Sequence, residues 1–375
     1  MRADQGAACR KGVPMRIVEV TTKQQQKRFL AFRRECYRTV GRYVDNQAFM
    51  LREVFAGKTC FPEHKDIRVL YVEDEERVLC QGILIWAEEL PEYAQLCFFE
   101  SREGQEAAVE LLLKEAKNFG KGHGCKRLVI GLYGHVNYGL GFQTDRYEEK
   151  NSFSAAGNPA YYNEYFAGPE FEKIYLNSYK TARFGENIKR FERLLRHVEK
   201  SYTFRYFDKK NFDRDAKIYT DLNNVCFAKH RYYYKRNYKE DAEMLKELFL
   251  FMKEDSVIFA YDGDTPVGFV MWYPEYNELL RGGEEFGVTA FFKNRLFGHK
   301  IETVKVMEFG ILEEHRRKGL PLALVNHVYL CAQKRGIHKA ESSWVLAENG
   351  DSNSVCSAVC EENYKRYVVY ETQLS

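Results

Sequence analysis

The chain has 375 residues, of which 45% are hydrophobic and 30% are charged. This length exceeds one ordinary hydrophobic core and predicts two domains of about 150–200 residues each. The 57 basic and 54 acidic side chains leave a formal charge of only +3, which gives no support for a general nucleic-acid-binding surface. Because no apolar run reaches about 18 residues and no apolar signal segment opens the chain, we expect a cytoplasmic protein without transmembrane helices.

Ten cysteines are scattered along the chain without a C-x-x-C pair. Cys356 and Cys360 lie four residues apart on a predicted helix, yet no second pair of thiols or histidines lies nearby in sequence. Free thiols in a reducing compartment, and no bound metal, are therefore the interpretation we adopt.

The first half of the chain predicts a mixed set of strands and helices. We interpret residues 1–14 as a disordered lead or an over-long gene call, because Met15 opens the first clear strand pattern. One helix has an apolar face at 3/4 spacing, formed by Ala108, Leu111, Leu112, Ala116 and Phe119, and Gly120 is expected to stop it. The predicted elements are strands 16–21, 68–73, 78–86, 96–100 and 127–132, and helices 23–38 and 104–119.

The second half repeats most of that order. A strong turn signal, D-G-D-T-P, joins two of its strands. The charged stretch 186–200 is predicted to be an exposed linker helix, or alternatively an edge helix of either domain, so the domains are 15–185 and 201–375. The predicted elements are strands 202–207, 256–261, 267–273, 304–312, 339–345 and 364–370, and helices 214–228, 240–252, 321–335 and 352–360.

The segment 304–336 is the most informative one. An apolar strand ends in a loop that carries Arg316, Arg317, Lys318 and Gly319, and a helix follows from about Pro321. The first N–H groups of a helix lack partners within the helix, and its dipole favours an anion there. Glycine lets a phosphate approach the backbone, and proline fits the first helical position. The pattern predicts a phosphate-binding loop; the alternative is an ordinary strand–loop–helix unit with a solvated basic loop.

This pattern resembles motif A of the GNAT acyltransferases, [R/Q]-x-x-G-x-[G/A], although Pro321 replaces the last Gly or Ala. The C-terminal run with Trp344, Tyr364, Lys365 and Tyr367 is similar to the end of bacterial tandem GNAT-like proteins. Three segments of the first half are also similar to that group: R-I-V-E-V-T-T-K, L-C-F-F-E-S and N-P-A-Y-Y-N-E-Y-F. The resemblance implies an α/β (α+β) fold: two GNAT-like acyl-CoA N-acyltransferase domains in tandem, each with a mixed, mostly antiparallel sheet flanked by helices.

The resemblance also implies a co-substrate, acetyl-CoA or a longer acyl-CoA, and no metal. Its pantetheine amides would pair with the strand end and its phosphates would lie on the basic loop. The residues implied in this binding are Ile311, Leu312, Arg316, Arg317, Lys318, Gly319, Leu320, Asn349 and Asn353.

Four residues are candidates for proton transfer. Glu308 is a carboxylate within an apolar strand, where burial raises a pKa toward that of a general base; the alternative is a cross-sheet ion pair. Glu341 on the next strand competes for the same role. Seven residues after Asn349, where GNAT enzymes place a tyrosine acid, stands Cys356; its thiol is either a proton donor or a buried structural group. Tyr364 and the solvent are the other candidate donors.

Three further segments have two interpretations each. Residues 120–124, G-K-G-H-G, mimic a phosphate loop but follow a helix and precede a strand, so we predict a helix stop and a turn. The glycine-rich loop 134–142 either lines an acceptor pocket or is a mobile connector. The run 231–238, R-Y-Y-Y-K-R-N-Y, either stacks on RNA or forms a substrate-facing loop or buried aromatic cluster, and we favour the latter pair.

The predicted function is direct acyl transfer from acyl-CoA to a small amine or amino acid, by the second domain. The loop after strand 96–100 in the first domain lacks the glycine-and-base pattern, so no second CoA site is expected. A non-catalytic tandem protein that binds a ligand or partner is the rival. An N-acyl amino acid synthase and an aminoacyl-tRNA-dependent transferase are lower alternatives. We expect no nucleic-acid or membrane partner, and a monomer or homodimer.

Overall fold

The computed structural model describes residues 14–75 and 77–374. All but Pro14 of the lead predicted at residues 1–14 lies outside this range. Within it, no helix has the length and apolarity needed to cross a bilayer. The nine cysteines of the described residues are free thiols.

The first half begins with a well-capped helix. Thr22 and Gln25 form a reciprocal capping box at its start, and Gly41, in the left-handed conformation, ends it. The strands are β1 (Met15–Glu19), β2 (Lys65–Asp74), β3 (Arg77–Ala87), β4 (Tyr93–Ser101), β5 (Arg127–Ile130), β6 (Phe142–Gln143) and β7 (Glu172–Thr181). The helices are α1 (Lys23–Val40), α2 (Ala48–Phe55), α3 (Glu106–Gly122) and α4 (Tyr161–Glu164).

The second half adds more helices. Its helices are α5 (Phe184–Lys189), α6 (Glu192–Val198), α7 (Phe212–Cys226), α8 (Tyr238–Leu248), α9 (Val288–Phe297), α10 (Leu320–Gln333) and α11 (Gly350–Val359). Its strands are β8 (Thr203–Tyr206), β9 (Val257–Asp262), β10 (Thr265–Pro274), β11 (Thr303–Ile311), β12 (Lys339–Ser342), β13 (Val345–Leu346) and β14 (Glu362–Gln373). The sequence patterns did not predict α2, α9 or β7.

Two local predictions need correction. Gly120 does not stop α3, which continues to Gly122. A Cβ at position 120 would lie 2.5 Å from Leu374 and 2.9 Å from the Cβ of Ala94, so this glycine permits close packing of the helix on the sheet. Pro321 occupies the second position of α10, because the helix begins at Leu320.

The stretch 186–200 forms two short helices, α5 and α6, instead of one linker helix. Phe184, Ile188, Leu195 and Val198 are buried in the core of the second half. Both helices pack on α10. This segment is therefore part of the helical layer of the second half.

One continuous sheet joins the two halves, and each half lends a strand to the other. The order is β1-β2-β3-β4-β5-β14-β7-β12-β11-β10-β9-β8. The last strand of the chain, β14, pairs antiparallel with β5 of the first half, and β7 pairs antiparallel with β12 of the second. The two exchanged strands also pair with each other. Most neighbouring strands are antiparallel, and β4/β5 and β11/β12 are the parallel pairs.

Candidate active site

The centre of the second half is a gap between two diverging strands. β11 and β12 pair in parallel only as far as Val306 and Ser342. The register of β11 against β10 shifts next to Met271, which leaves Met307 as an extra residue. Such a bulge bends a strand and redirects its side chains. From Met307 to Ile311, β11 therefore has no strand paired on its β12 side among the described residues.

A long cleft of about 1070 Å³ runs from this gap to the start of α10. Ile311 and Leu312 line it at the strand end, Arg316, Arg317 and Gly319 line it at the loop, and Asn349 lines it from the opposite side. Arg316 donates from Nε to the carbonyl of Ile311 at 3.1 Å. Lys318 and Leu320 are not among the lining residues, and Leu320 is fully buried in the core. The cleft thus gathers most, but not all, of the predicted binding residues.

The backbone of the loop is shaped for an anion. Arg317 and Gly319 both adopt positive φ, 61° and 78°, and such turns direct successive N–H groups to one side. Gly319 is the N-cap of α10, and no side chain caps that helix. Arg316 and Arg317 line this end of the cleft near the uncapped N-terminus of α10, whose dipole favours an anion, and Asp351 lies 3.7 Å from Arg317.

Glu308 directly precedes Phe309, the first residue of β11 that lines the cleft, and its own side chain lines two smaller cavities. Its Oε2 accepts hydrogen bonds from the Tyr219 hydroxyl at 2.7 Å and from Asn223 Nδ2 at 3.2 Å. Burial raises the pKa of Glu308, while these two donors oppose the rise. No lysine or arginine in the described residues forms an ion pair with it. The carboxyl is thus half-buried, oriented by two donors and without an ion pair among the described residues, which makes it a candidate general base.

Glu341 has a different environment. Its Oε1 accepts from Lys305 Nζ and from Ser152 Oγ, and it is 3% exposed. Burial alone would raise the pKa of Glu341, but the Lys305 charge and these hydrogen bonds outweigh it and hold the pKa below its usual range. A paired carboxylate of low pKa is a poor proton acceptor.

The two candidate proton donors, Cys356 and Tyr364, lie in different environments. Cys356 is buried on α11 and lines the gap between the diverging strands, and burial raises the pKa of its thiol to about 11. It therefore keeps its proton at neutral pH. Tyr364 donates its hydroxyl to Glu149 of the first half. It does not line the cavities around Glu308.

The two asparagines of α11 are also distinct. Asn349 caps the helix by accepting from Ser352 N at 3.1 Å. Asn353 donates to the carbonyls of Leu346 and Asn349 and accepts from the Tyr179 hydroxyl at 2.7 Å. Its amide is committed to holding the loop before α11 against β7, and it does not line the cleft.

A second cavity approaches Glu308 from the other side, between the two halves. It was not predicted as a whole, although the loop 134–142 was proposed as an acceptor wall, and Asn137 and Tyr138 of that loop do line it. Tyr219 and Asn223 were also missed. They stand four residues apart on α7, so a polar pair on a buried helix face was the signal that could have found them.

The run 231–238 is a packed cluster. Tyr232, Tyr233, Tyr234 and Arg236 are buried. Tyr232 donates to Glu371 of β14 at 2.6 Å, and Tyr234 donates to the carbonyl of Gly134 at 3.1 Å. Most of these aromatic rings are therefore unavailable for stacking on RNA, and the run joins the two halves.

The corresponding position in the first half is filled by its own side chains. The backbone N–H of Ser101 donates to the Tyr162 hydroxyl at 3.0 Å, and that of Gln105 donates to Tyr165 at 3.2 Å. Glu100, the counterpart of Glu308 by its place after the strand centre, is paired with Arg33. Tyrosines of α4 and its flank thus satisfy the donors that an anion would need.

Comparison with known proteins identifies similar sequences and similar folds. Residues 217–356 match the model of the acetyltransferase (GNAT) family. Protein YghO of Escherichia coli (strain K12) is 25% identical over 190 residues, which cover 49% of this chain and 49% of that protein. The match therefore spans about half the length of that curated relative.

Solved structures resemble the whole chain. A tandem GNAT protein from the clavulanic acid biosynthesis pathway, solved without AcCoA, has a TM-score of 0.55 at 10% identity, over 96% of this chain and 99% of that one. A GCN5-related N-acetyltransferase from Sphaerobacter thermophilus has a TM-score of 0.53 at 8% identity, over 97% of both chains. At these identities the likeness concerns the fold. The predicted tandem GNAT fold is confirmed.

Proposed function

We propose that this tandem GNAT-fold chain transfers an acyl group directly from acyl-CoA to a small amine, in its second half. One observation carries the proposal: Glu308, a half-buried carboxyl that forms no ion pair among the described residues, lines both the inter-half cavity and a smaller cavity that shares Phe309 and Asn349 with the cleft. A phosphate-binding end, a proton acceptor and an acceptor pocket are the parts that this reaction needs.

The residues present fit acyl-CoA as a co-substrate. Arg316, Arg317 and the N-terminus of α10 would hold its phosphates, and the unpaired side of β11 from Met307 to Ile311 would pair with its pantetheine amides. The cleft, at about 1070 Å³, lies at the upper end of the usual range for ligand pockets. When bound, this co-substrate supplies the activated acyl group.

Two side chains would move protons in this reaction. Glu308 would accept a proton on a carboxylate oxygen from the ammonium group of the acceptor, which frees the nitrogen lone pair for attack. Cys356 would return a proton from its sulfur to the departing thiolate, because its raised pKa keeps it a thiol at neutral pH. Glu341 would remain paired with Lys305 and hold the strand.

Binding is tested first, by calorimetry with acetyl-CoA and longer acyl-CoAs. Gly319→Glu is not a clean variant, because a Cβ there would lie 3.0 Å from Leu194 and Val198. Arg317→Asn is better, since asparagine tolerates the left-handed backbone. We expect affinity to fall about tenfold, as for the loss of about 1.4 kcal/mol. Lys23→Asn, an exposed lysine at the start of α1, is the matched control.

Turnover is tested by thiol release with a panel of amines. Glu308→Gln should lower kcat by about 10²–10⁴, the usual contribution of a general base, while the Kd of acyl-CoA stays within about twofold. Acyl-CoA binding without thiol release from any amine would favour the non-catalytic ligand-binding protein. Absence of acyl-CoA binding would refute the proposed transfer.

A further inference from the structure

We infer that the acceptor is a primary amine on a small apolar body that carries no carboxylate. This rests on the proposed acyl transfer and narrows its acceptor, which the sequence left open between an amine and an amino acid. The juxtaposition that carries it is a small aromatic cavity rich in glutamate, ending at Glu308.

The cavity is built by both halves of the chain. α2 and the loops around Asn137 and Ser154 come from the first half, and α8 with β10 and β11 comes from the second. Its floor is Met271, Met307 and Glu308. Rings cluster around it, and aromatic faces attract an ammonium group through their quadrupole. They belong to Phe49, Phe61, Tyr138, Phe153, Phe251, Tyr273 and Phe286.

Its size limits the acceptor. The cavity holds about 170 Å³, close to the roughly 150 Å³ cavity that accommodates benzene in an engineered protein. One ring with a short aminoalkyl arm, or an aliphatic chain of similar volume, fits this space.

The charges around it are of one sign. Glu53, Glu240, Glu243, Glu247 and Glu308 line the cavity, and among the described residues no lysine or arginine does. The smaller cavity that shares Phe309 and Asn349 with the cleft also has no lysine or arginine among its described lining residues, and burial lowers the pKa of His230, which lines it, to about 4. That imidazole is neutral at physiological pH.

The glutamates differ in how far they are already satisfied. Glu240 has Lys65 and Arg236 at 3.9 Å behind the cavity wall. Glu243 accepts from Cys60 N at 2.9 Å and from Thr59. Glu247 has no ion pair among the described residues; although part of it faces solvent, burial and the charges of Glu53 and Glu243 raise its pKa to about 7. A cationic ligand would relieve this repulsion.

Three buried amide atoms at the cavity also lack partners within the described chain. Asn46 donates from Nδ2 to Ser152 O at 3.1 Å, which leaves its Oδ1 unpaired. Gln47 donates from Nε2 to Tyr138 O at 2.8 Å, which leaves Oε1 unpaired. Asn137 Nδ2 is the third. Unpaired buried acceptors are costly, and an ammonium group would satisfy the two oxygens.

A carboxylate would be poorly accommodated here. An amino acid bound with its ammonium at Glu308 would place its carboxylate near the same glutamates, without a lysine or arginine partner in the lining. Burial of such an unpaired charge is costly. The guanidinium groups that could bind an anion are those of Arg316 and Arg317, which line the other cleft.

The test compares matched acceptors with and without the carboxylate: tyramine with tyrosine, phenethylamine with phenylalanine, and cadaverine with lysine. Each is measured by calorimetry against the protein saturated with CoA, and by thiol release with acetyl-CoA. We expect each amine to bind, and to react with kcat/KM, at least about a hundredfold better than its amino acid. Equal or tighter binding of the amino acids would overturn the inference, as would absence of amine binding.

The two readouts separate the two claims. If amines bind selectively but no thiol is released, the inference on the ligand class stands and the proposed transfer fails. If thiol is released fastest with amino acids, the transfer stands and the inference fails.

Glu247→Gln gives an independent check. We expect it to weaken cadaverine binding about fivefold, because it removes a cavity carboxylate that has neither an ion pair nor a side-chain hydrogen bond among the described residues. Glu110→Gln, an exposed glutamate on α3 outside the cavity, is the matched control. An unchanged affinity in Glu247→Gln, or an equal loss in both variants, would refute the electrostatic part of the argument.

Discussion

Removal of the Tyr219 hydroxyl group should raise the pKa of Glu308 while leaving its carboxyl group in place. Tyr219 is fully buried and donates to Glu308 Oε2 at 2.7 Å. Phenylalanine keeps the ring, so Tyr219→Phe deletes mainly this hydrogen bond. A bond to a charged group contributes about 1.5–3 kcal/mol, and about 1.36 kcal/mol moves a titration by one pH unit. The carboxylate loses a donor, so its protonated form is favoured further.

We therefore expect the acid limb of the pH profile of kcat/KM to move to higher pH by about one to two units in Tyr219→Phe. The assay is thiol release across the pH range of activity, with the best amine of the panel. Tyr233→Phe is the matched control, because Tyr233 is also buried and donates to Asn224 Oδ1 at 2.7 Å instead of to Glu308. An unmoved acid limb, or equal movement in both variants, would refute Glu308 as the base.

Three further predictions concern buried ionisable groups. Burial raises the folded-state pKa of Glu308, so its contribution to stability is present at low pH and is lost as pH rises through that pKa; Glu308→Gln should therefore raise the free energy of unfolding more at neutral than at mildly acidic pH, measured by urea denaturation. Lys305→Met should cost about 3–5 kcal/mol of stability, because Glu341 is left as an unpaired buried charge, and the double variant Lys305→Met/Glu341→Leu should recover most of it in the same titration. Cys356→Ala should lower kcat at least about tenfold with an unchanged Kd for acyl-CoA; an unchanged kcat would assign that proton to the solvent.

Local pattern was sufficient for the elements that position the cofactor end of the site. The apolar run of β11, the glycine at the start of α10 and the basic loop between them are each specified by adjacent residues. β7 was missed because its sequence, E-K-I-Y-L-N-S-Y-K-T, mixes charged and apolar residues. It becomes a strand through its pairing with β12 and β14, and such tertiary partners are not encoded locally.

The residues of the candidate site were likewise predictable only in part. Glu308 was predictable, because a carboxylate within an apolar strand is a conflict that invites a functional explanation. Tyr219 lies 89 residues from it in sequence, and part of the wall of the inter-half cavity comes from the other half of the chain. Tyr364 was a candidate proton donor from the last strand, yet its hydroxyl donates to Glu149. Contacts between distant segments set these positions, and periodicity carries no information about them.

The exchange of β7 and β14 has a consequence for biosynthesis. β14 leaves the ribosome after every other strand of the sheet, yet it fills the place beside β5 in the half that is translated first. The edge of the sheet at β5 therefore stays unpaired on that side until β14 has been synthesised. Such long-range pairing slows folding and leaves intermediates prone to aggregation. We therefore expect the folding of the two halves to be coupled through these exchanged strands.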